Sequence, residues 1–410
     1  MKTPLAILNL WHQGAKTLVS IGGVGFALLL VFMQLGFMGA VSHTATNVLD
    51  NLEFDVLIRA RDYLHLYEPG TIDRRWLSSI EGVDGVSEAV PFWITVQNWR
   101  RMPTADDEPT EFSSQYLPIA VMAVQPGDPV FRIAEINQAA DLLSTARSVV
   151  IDDSTQHEYG PWNGKSFGGE DIDRAPEIGG QAFTIQGVYS LGTGLAANGG
   201  VITSSDGYGQ IMPWDPNRTV SLGLIQLDAP SQENREKAVD QIRSIVSLPT
   251  TLENETPTPT PSGVVDVLTK DEALQRERFR WLWQTPIGLI FQLGVVLSLM
   301  VGAAIVYMVL STDVAHRLPE YATLLAMGYS RSYLASIVMT QALTLCGLGL
   351  MAAWLAAEGL YRVTTAISAI PLTMSPSRVG LVAVLGVAMC CVSGLLALRK
   401  LWKAEPASLF

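Results

Sequence analysis

PIGLIFQLGVVLSLMVGAAIVYMVL, residues Pro286 to Leu310, runs for 25 residues without a charge. A helix rises 1.5 Å per residue, so about 20 residues cross a hydrocarbon core of about 30 Å. The stretch predicts a membrane span, and three others match it. Leu18–Val41, Leu334–Ala357 and Val379–Leu398 likewise contain no Asp, Glu, Lys or Arg. Lys2 and Lys16 precede the first run in the manner of a secretory signal, but its apolar core exceeds the 7 to 15 residues of such signals. It reads as a retained span.

Lys and Arg near the span ends set the expected orientation. Lys2, Lys16, Arg317, Arg331, Arg399, Lys400 and Lys403 fall on one side, against Arg362 and Arg378 in the turn between spans three and four. Both termini are expected in the cytoplasm. The predicted layout is a cytoplasmic amphipathic helix over 1–17, spans over 18–41, 285–311, 334–358 and 379–398, and a large outer domain over 42–284. Residues 312–333 form a cytoplasmic loop, 359–378 a short outer loop and 399–410 a cytoplasmic tail. The outer domain holds 18 Lys plus Arg against 35 Asp plus Glu, so the acidity of the chain, net charge −12, resides there.

All three cysteines, Cys346, Cys390 and Cys391, lie in spans, so the outer domain must hold by burial without a disulfide. Gly386, Cys390 and Gly394 form a small-residue stripe that admits a close helix neighbour. In the outer domain, Asp55–Arg59, Ser148–Asp152, Ala182–Tyr189 and Val220–Leu227 read as strands from their β-branched residues and alternation. Asp73–Ile80 and Ser231–Ser247 read as helices, with Ser231 a cap and Ala238, Ile242 and Ile245 on one face. The class is membrane α-helical with an α+β outer domain. A Thr-Pro repeat, Thr256–Pro261, reads as a semi-rigid spacer. Beyond it, the charged run Asp271–Arg280 leads to Trp281 and Trp283, which suit the headgroup boundary. The second span is thus expected to continue outward as a helical stalk, and the first likewise through Ser42–Leu52.

Enzyme readings fail on spacing. Gly160-Pro-Trp-Asn-Gly-Lys-Ser166 has three residues between its glycines where a phosphate loop needs four, and Pro161 removes an amide. His157-Glu158 lacks a second His at helical spacing, so no zinc site is expected. The glycines of Leu191–Gly200 miss the dinucleotide pattern, and the segment reads as a mobile loop. No catalytic, metal or cofactor residues are assigned. A secondary transporter is disfavoured by only four spans and no intramembrane charge, the interior polar groups being Gln34, Gln292 and Gln341.

RLPEYATLLAMGYSRSYL, Arg317–Leu334, remains. Pro319 suits a first helical turn, Glu320 its positive end and Gly328 the left-handed residue that stops it. Tyr321, Leu324, Leu325 and Gly328 share one face. Such a helix either rests at the lipid boundary or offers an apolar face to a partner.

The segment Pro319–Ser330 resembles the coupling-helix motif of FtsX/MacB-type ABC transporter permeases, with its acidic residue, Thr-Leu pair and Ala-hydrophobic-Gly end. The basic tail Leu398–Leu409, which runs into Pro-Ala, is similar to theirs. Pro286-Ile-Gly, Thr312-Asp-Val-Ala, Leu318-Pro-Glu-Tyr-Ala-Thr and Pro129–Asn137 resemble the DevC branch, permeases of heterocyst-type glycolipid exporters. Leu325 departs from the Lys of many relatives.

The resemblance implies a homodimeric, non-catalytic permease of the bacterial inner membrane, its large domain in the periplasm. It implies an ATPase-coupling set of Arg317, Pro319, Glu320, Tyr321, Ala322, Thr323, Leu324, Leu325, Met327 and Gly328. The expected partners are a separate DevA-like ATPase, which binds ATP and Mg, a DevB/HlyD-like adaptor, a TolC-like channel and membrane lipids, with no nucleic acid. The implied activity is mechanical export of a lipid-like or other hydrophobic cargo. An FtsX-like regulator of cell-wall hydrolases and a LolC-like lipoprotein extractor share this layout.

Overall fold

The structure, a computed structural model, describes residues 14–107, 115–192, 194–246, 265–368 and 372–403. The Thr-Pro repeat, residues 404–410 and all but the end of the expected helix over 1–17 lie outside them. Two compact units emerge, the first Ser42–Trp281 and the second Met1–Val41 with Leu282–Phe410.

The first unit is built on strands β1 (Val56–Ala60), β2 (Ile72–Asp73), β3 (Val86–Arg100), β4 (Tyr116–Val124), β5 (Ser148–Asp152) and β6 (Glu177–Ile178). They are followed by β7 (Gln181–Ala182), β8 (Thr184–Tyr189), β9 (Gly200–Ser204), β10 (Thr219–Val220), β11 (Leu222–Leu227) and β12 (Val265–Thr269). The main sheet runs β12-β1-β11-β3-β4-β9-β5-β8. Its pairs are antiparallel except β4 with β9 and β5 with β8. β3 is 15 residues long and serves twice. Its first half pairs with β11 and its second with β4.

Side chains alternate between two buried faces, as a pleated strand requires. Val56, Ile58, Ile119, Val121, Val149 and Ile151 face one way, covered by helices α2 (Arg75–Ile80), α4 (Ser205–Ile211) and α5 (Gln232–Val246) through Leu77, Tyr208 and Ile242. Leu57, Phe92, Ala120, Met122 and Val150 face the other way, under Val48 and Leu49 of α1 (Gly14–Asn51), Ile136 of α3 (Ala134–Ala140) and Leu274 of α6 (Lys270–Phe279). The result is a helix-sheet-helix sandwich of α+β type.

The sequence reading locates β1, β5 and α5, whose start is capped by Ser231 Oγ accepting from Asn234 N at 3.1 Å. It misses β3, β4 and β9. Residues 89–94 of β3, 119–124 of β4 and all of β9 are buried on both faces, so they lack the polar alternation that marks a half-exposed strand, and β3 and β4 contain Pro91 and Pro118. The expected strands at 182–189 and 220–227 are each interrupted, at Phe183 and Ser221.

The glycine-rich segment after β8 is not loose. Asn47 Nδ2 donates to the carbonyls of Leu191 and Gly192 at 2.8 and 2.7 Å, and Gly192 N donates to Asp152 Oδ2 at 2.8 Å. Gly194 N donates to Tyr67 Oη at 3.0 Å. The expectation of a mobile loop gives way to a segment tied to α1 and to the end of β5.

Asp152 is fully buried, and burial pushes its carboxyl up to about 6 despite the amides of Ser154, Leu191 and Gly192. The unfolded value is about 3.9, so the folded chain holds this proton more readily. The stabilising contribution of the protonated group is complete below that value and is lost as pH rises through about 6. Asp152→Asn, which carries no charge, is expected to gain on the wild type by roughly 3 kcal/mol between about pH 4 and pH 7. Denaturant unfolding of both proteins across that range measures the difference. A pH-independent difference would mean that Asp152 carries no buried charge.

α6 opens with a capping box of Thr269 and Glu272 and is followed by a π-helical turn, Arg280–Gln284. A new N-cap then forms at Thr285, whose Oγ1 accepts from Gly288 N, with Pro286 at the first helical position. The expectation of one helix running from the charged stretch into the second span is therefore corrected. Proline lacks the N–H that a continuing helix needs, so the chain starts afresh. Trp281 is buried and donates Nε1 to Glu277 at 2.9 Å, whereas Trp283 is exposed.

The second unit packs residues 14–41 of α1 with α7 (Pro286–His316), α8 (Leu318–Ala326), α9 (Arg331–Ser368) and α10 (Pro376–Lys403). α1, α7, α9 and α10 are long and apolar enough to cross a membrane. α9 extends through much of the segment expected as a short outer loop. Glycines set close approaches here. A Cβ on Gly349 would lie 2.8 Å from a methyl of Val24, and one on Gly302 2.5 Å from the Met389 sulfur. Ser393 Oγ donates to Ala303 O at 2.9 Å, and Tyr361 Oη donates to Phe32 O. The stripe Gly386, Cys390 and Gly394 faces Leu28, Cys346, Met339 and Ala342, so it is spent on packing within the chain.

Candidate functional site

The link between α7 and α9 is α8, a helix of nine residues. Its ends are fixed by local chemistry. Arg317 closes α7 with its N–H on Asp313 O at 3.1 Å, and Pro319 sits in the first turn of α8, where no amide is needed. At the far end Gly328 takes φ +90°, a left-handed conformation open to glycine. Tyr329 N then reaches Leu324 O at 3.1 Å, the closing bond of a Schellman turn. Ser330 Oγ accepts from Tyr333 N at 3.3 Å and caps α9.

The faces of α8 are distributed differently from the expectation. Tyr321 is 3% exposed and packs among Val314, Leu334, Ile337, Val338 and Leu398, with Leu324 and Tyr333 half-buried at the edge. Burial, with the Asp313 charge adding to it, pushes the Tyr321 hydroxyl up to about 12. Tyr321 therefore holds α8 on its own helices, and so in part does Leu324. An apolar face that can be buried within the chain is buried there first. Pro319, Glu320, Thr323 and Met327 point outward, and Met327 is 63% exposed. Side chains of Ala322 and Leu325 lie outside the described residues.

Arg317 is also turned inward. Its Nε donates to Asp313 Oδ1 at 3.1 Å, and its Nη1 lies 3.7 Å from Glu320 Oε2. The other oxygen of Asp313 accepts from Gln341 Nε2, on α9, at 3.2 Å. Asp313 thus joins the end of α7, at the residue that leads into α8, to the body of α9. Sequence reasoning quoted Asp313 only within Thr312-Asp-Val-Ala and Gln341 only as an interior polar group, and paired neither. The available signal was a lone carboxylate just past an apolar run, with a polar side chain inside the next.

The glycine-rich segment at 160–166 does not form a phosphate cradle. A Cβ on Gly160 would meet Met102 O at 1.9 Å, and the amides of Trp162 and Gly168 are already taken by Asp171 at 2.8 and 3.0 Å. A carboxylate occupies the place an anion would need. Among the described residues, no group of three or more His, Cys, Asp or Glu could hold a metal ion.

Residues 293–406 match the model of the FtsX-like permease C-terminal family. That segment contains most of α7 and all of α8, α9 and α10. No curated protein matches the chain. Among solved structures, the chain is similar to the extracellular domain of the noncanonic ABC-type transporter YknZ from Gram-positive bacteria, at 15% identity and TM-score 0.31, over 47% of this chain and 91% of that one. It is also similar to the periplasmic region of MacB from Actinobacillus actinomycetemcomitans, at 8% identity and TM-score 0.31, over 54% of this chain and 91% of that one.

Proposed function

We propose that the chain is the permease subunit of an ABC-type export system, in which α8 receives the motion of a separate ATPase. One observation carries this reading. Inside the segment that matches an FtsX-like permease, a short helix is fastened to three long helices by Tyr321 and leaves Pro319, Glu320, Thr323 and Met327 exposed. In this reading α8 and both termini lie in the cytoplasm, the sheet unit lies in the periplasm, and two chains pair. ATP and Mg belong to a DevA-like partner. Motion reaching the sheet unit drives a lipid-like or other hydrophobic cargo into a DevB/HlyD-like adaptor and a TolC-like channel, as in the DevC branch.

Purification from native membranes tests the assignment. The chain alone is expected to hydrolyse no ATP, and activity is expected when a copurifying ATPase is present, together with an adaptor and an outer-membrane channel. Hydrolysis by a sample free of that ATPase would overturn the proposal. Recovery of a cell-wall hydrolase in place of adaptor and channel would replace export with regulation.

A further inference from the structure

Two buried polar atoms beside α8 have no hydrogen-bond partner among the described residues, Tyr321 Oη and Gln341 Oε1. Both side chains are 3% exposed, and Gln341 is the residue whose amide nitrogen is held by Asp313. The amide orientation follows from chemistry, since only the NH₂ end can donate to a carboxylate. Leaving buried polar atoms unsatisfied is costly, and where it occurs the arrangement calls for an explanation.

The surrounding groups supply one. α8 meets α7, α9 and α10 through a small apolar cluster around Tyr321, an attraction that is non-directional. The Asp313 carboxylate is different in kind. It accepts from Arg317, the residue that closes α7 and immediately precedes α8, and from Gln341 within α9, so it fixes direction as well as distance. From this we infer that Asp313 and Gln341 are positioning residues, a polar clasp that makes α8 move together with α7 and α9. The inference rests on the coupling role proposed for α8. The unpaired Tyr321 hydroxyl and Gln341 carbonyl mark the side on which the clasp has spare hydrogen-bonding capacity, available to a second setting of the helix.

A charge-preserving exchange tests the clasp. Gln341→Glu places a second carboxylate against Asp313 and removes the donor. In the double variant Asp313→Asn with Gln341→Glu, the new amide nitrogen at position 313 donates to the new carboxylate at position 341, while the amide carbonyl still accepts from Arg317. Net charge and both hydrogen bonds are restored, the one between positions 313 and 341 with its polarity reversed. Hydrogen exchange of the full chain in lipid nanodiscs reads the result. Amides of 321–329 are expected to exchange about tenfold faster in Gln341→Glu, with 290–306 unchanged, and to return to wild-type rates in the double variant. An unaltered rate in the single variant, or no recovery in the double, would overturn the inference. Because this measurement involves no ATPase, its failure leaves the permease assignment standing. If the assignment is right, the single variant in the copurified complex keeps its ATPase bound while losing most of its stimulation.

Discussion

Met327→Asp is expected to weaken binding of the partner ATPase about 30-fold or more, with normal amounts of the chain in the membrane. Among the described residues, Met327 is the most exposed large apolar side chain on or next to α8, and Gly328 beside it leaves it at the turn of the helix. An apolar residue at the centre of a contact contributes about 2 kcal/mol or more, and a factor of ten corresponds to about 1.4 kcal/mol. A carboxylate in its place must also be desolvated on binding. Since Met327 has no part in the cluster around Tyr321, the substitution leaves the fold of the helical unit untouched. Leu324→Asp is a poorer probe. Leu324 packs on that cluster, so its loss disturbs the seat of α8 as well as its outer face. Titration of the purified ATPase onto the chain in nanodiscs gives the number. Unchanged affinity in Met327→Asp would remove this face as the docking surface and leave α8 resting on lipid.

Glu277→Ala is expected to destabilise the sheet unit by about 4 kcal/mol, which lowers the unfolding midpoint by roughly 10 °C for a unit of this size. The Glu277 side chain, with the residue 1% exposed, accepts from Tyr63 Oη at 2.7 Å, Leu66 N at 3.1 Å and Trp281 Nε1 at 2.9 Å. Those donors come from the loop after β1 and from the turn after α6, so one carboxylate ties the two ends of the unit. Burial and the Glu277 charge hold the Tyr63 hydroxyl well above its ordinary range, which keeps it a donor. Truncation removes the acceptor that these three buried donors share. Glu277→Gln retains one acceptor oxygen and is expected to fall between. Thermal unfolding of the full chain in detergent separates the three proteins, and an unshifted midpoint in Glu277→Ala would show that the hub contributes nothing to stability.

The four apolar helices were legible because a bilayer imposes length and charge rules that a composition scan can apply directly. The position and punctuation of α8 were legible too, since Pro319, Glu320 and Gly328 each have one physical use there. Which face of α8 points outward was not legible. Periodicity shows that Tyr321 and Leu324 share a side, and it is silent on whether that side meets a partner or the chain itself. Asp313 with Gln341 escaped for a related reason. Their meeting depends on two helices lying side by side, with the paired residues 28 positions apart in sequence. In the sheet unit the central strands hid behind their own burial. A strand such as Tyr116–Val124, apolar on both faces and bearing Ala, Met and Pro, carries no period to count.

The length of β3 has a consequence for how the sheet unit comes apart. Its residues 86–92 belong to the ladder that includes β11, β1 and β12, and residues 93–100 to the ladder that includes β4, β9, β5 and β8. Both ladders end on this one strand. Melting one half would strip the shared backbone of partners over half its length and leave Phe92 or Trp93, adjacent residues on opposite faces, facing water. The two halves therefore stand or fall as a single cooperative block, and a load applied to one passes to the other through covalent chain rather than through an interface that can slip.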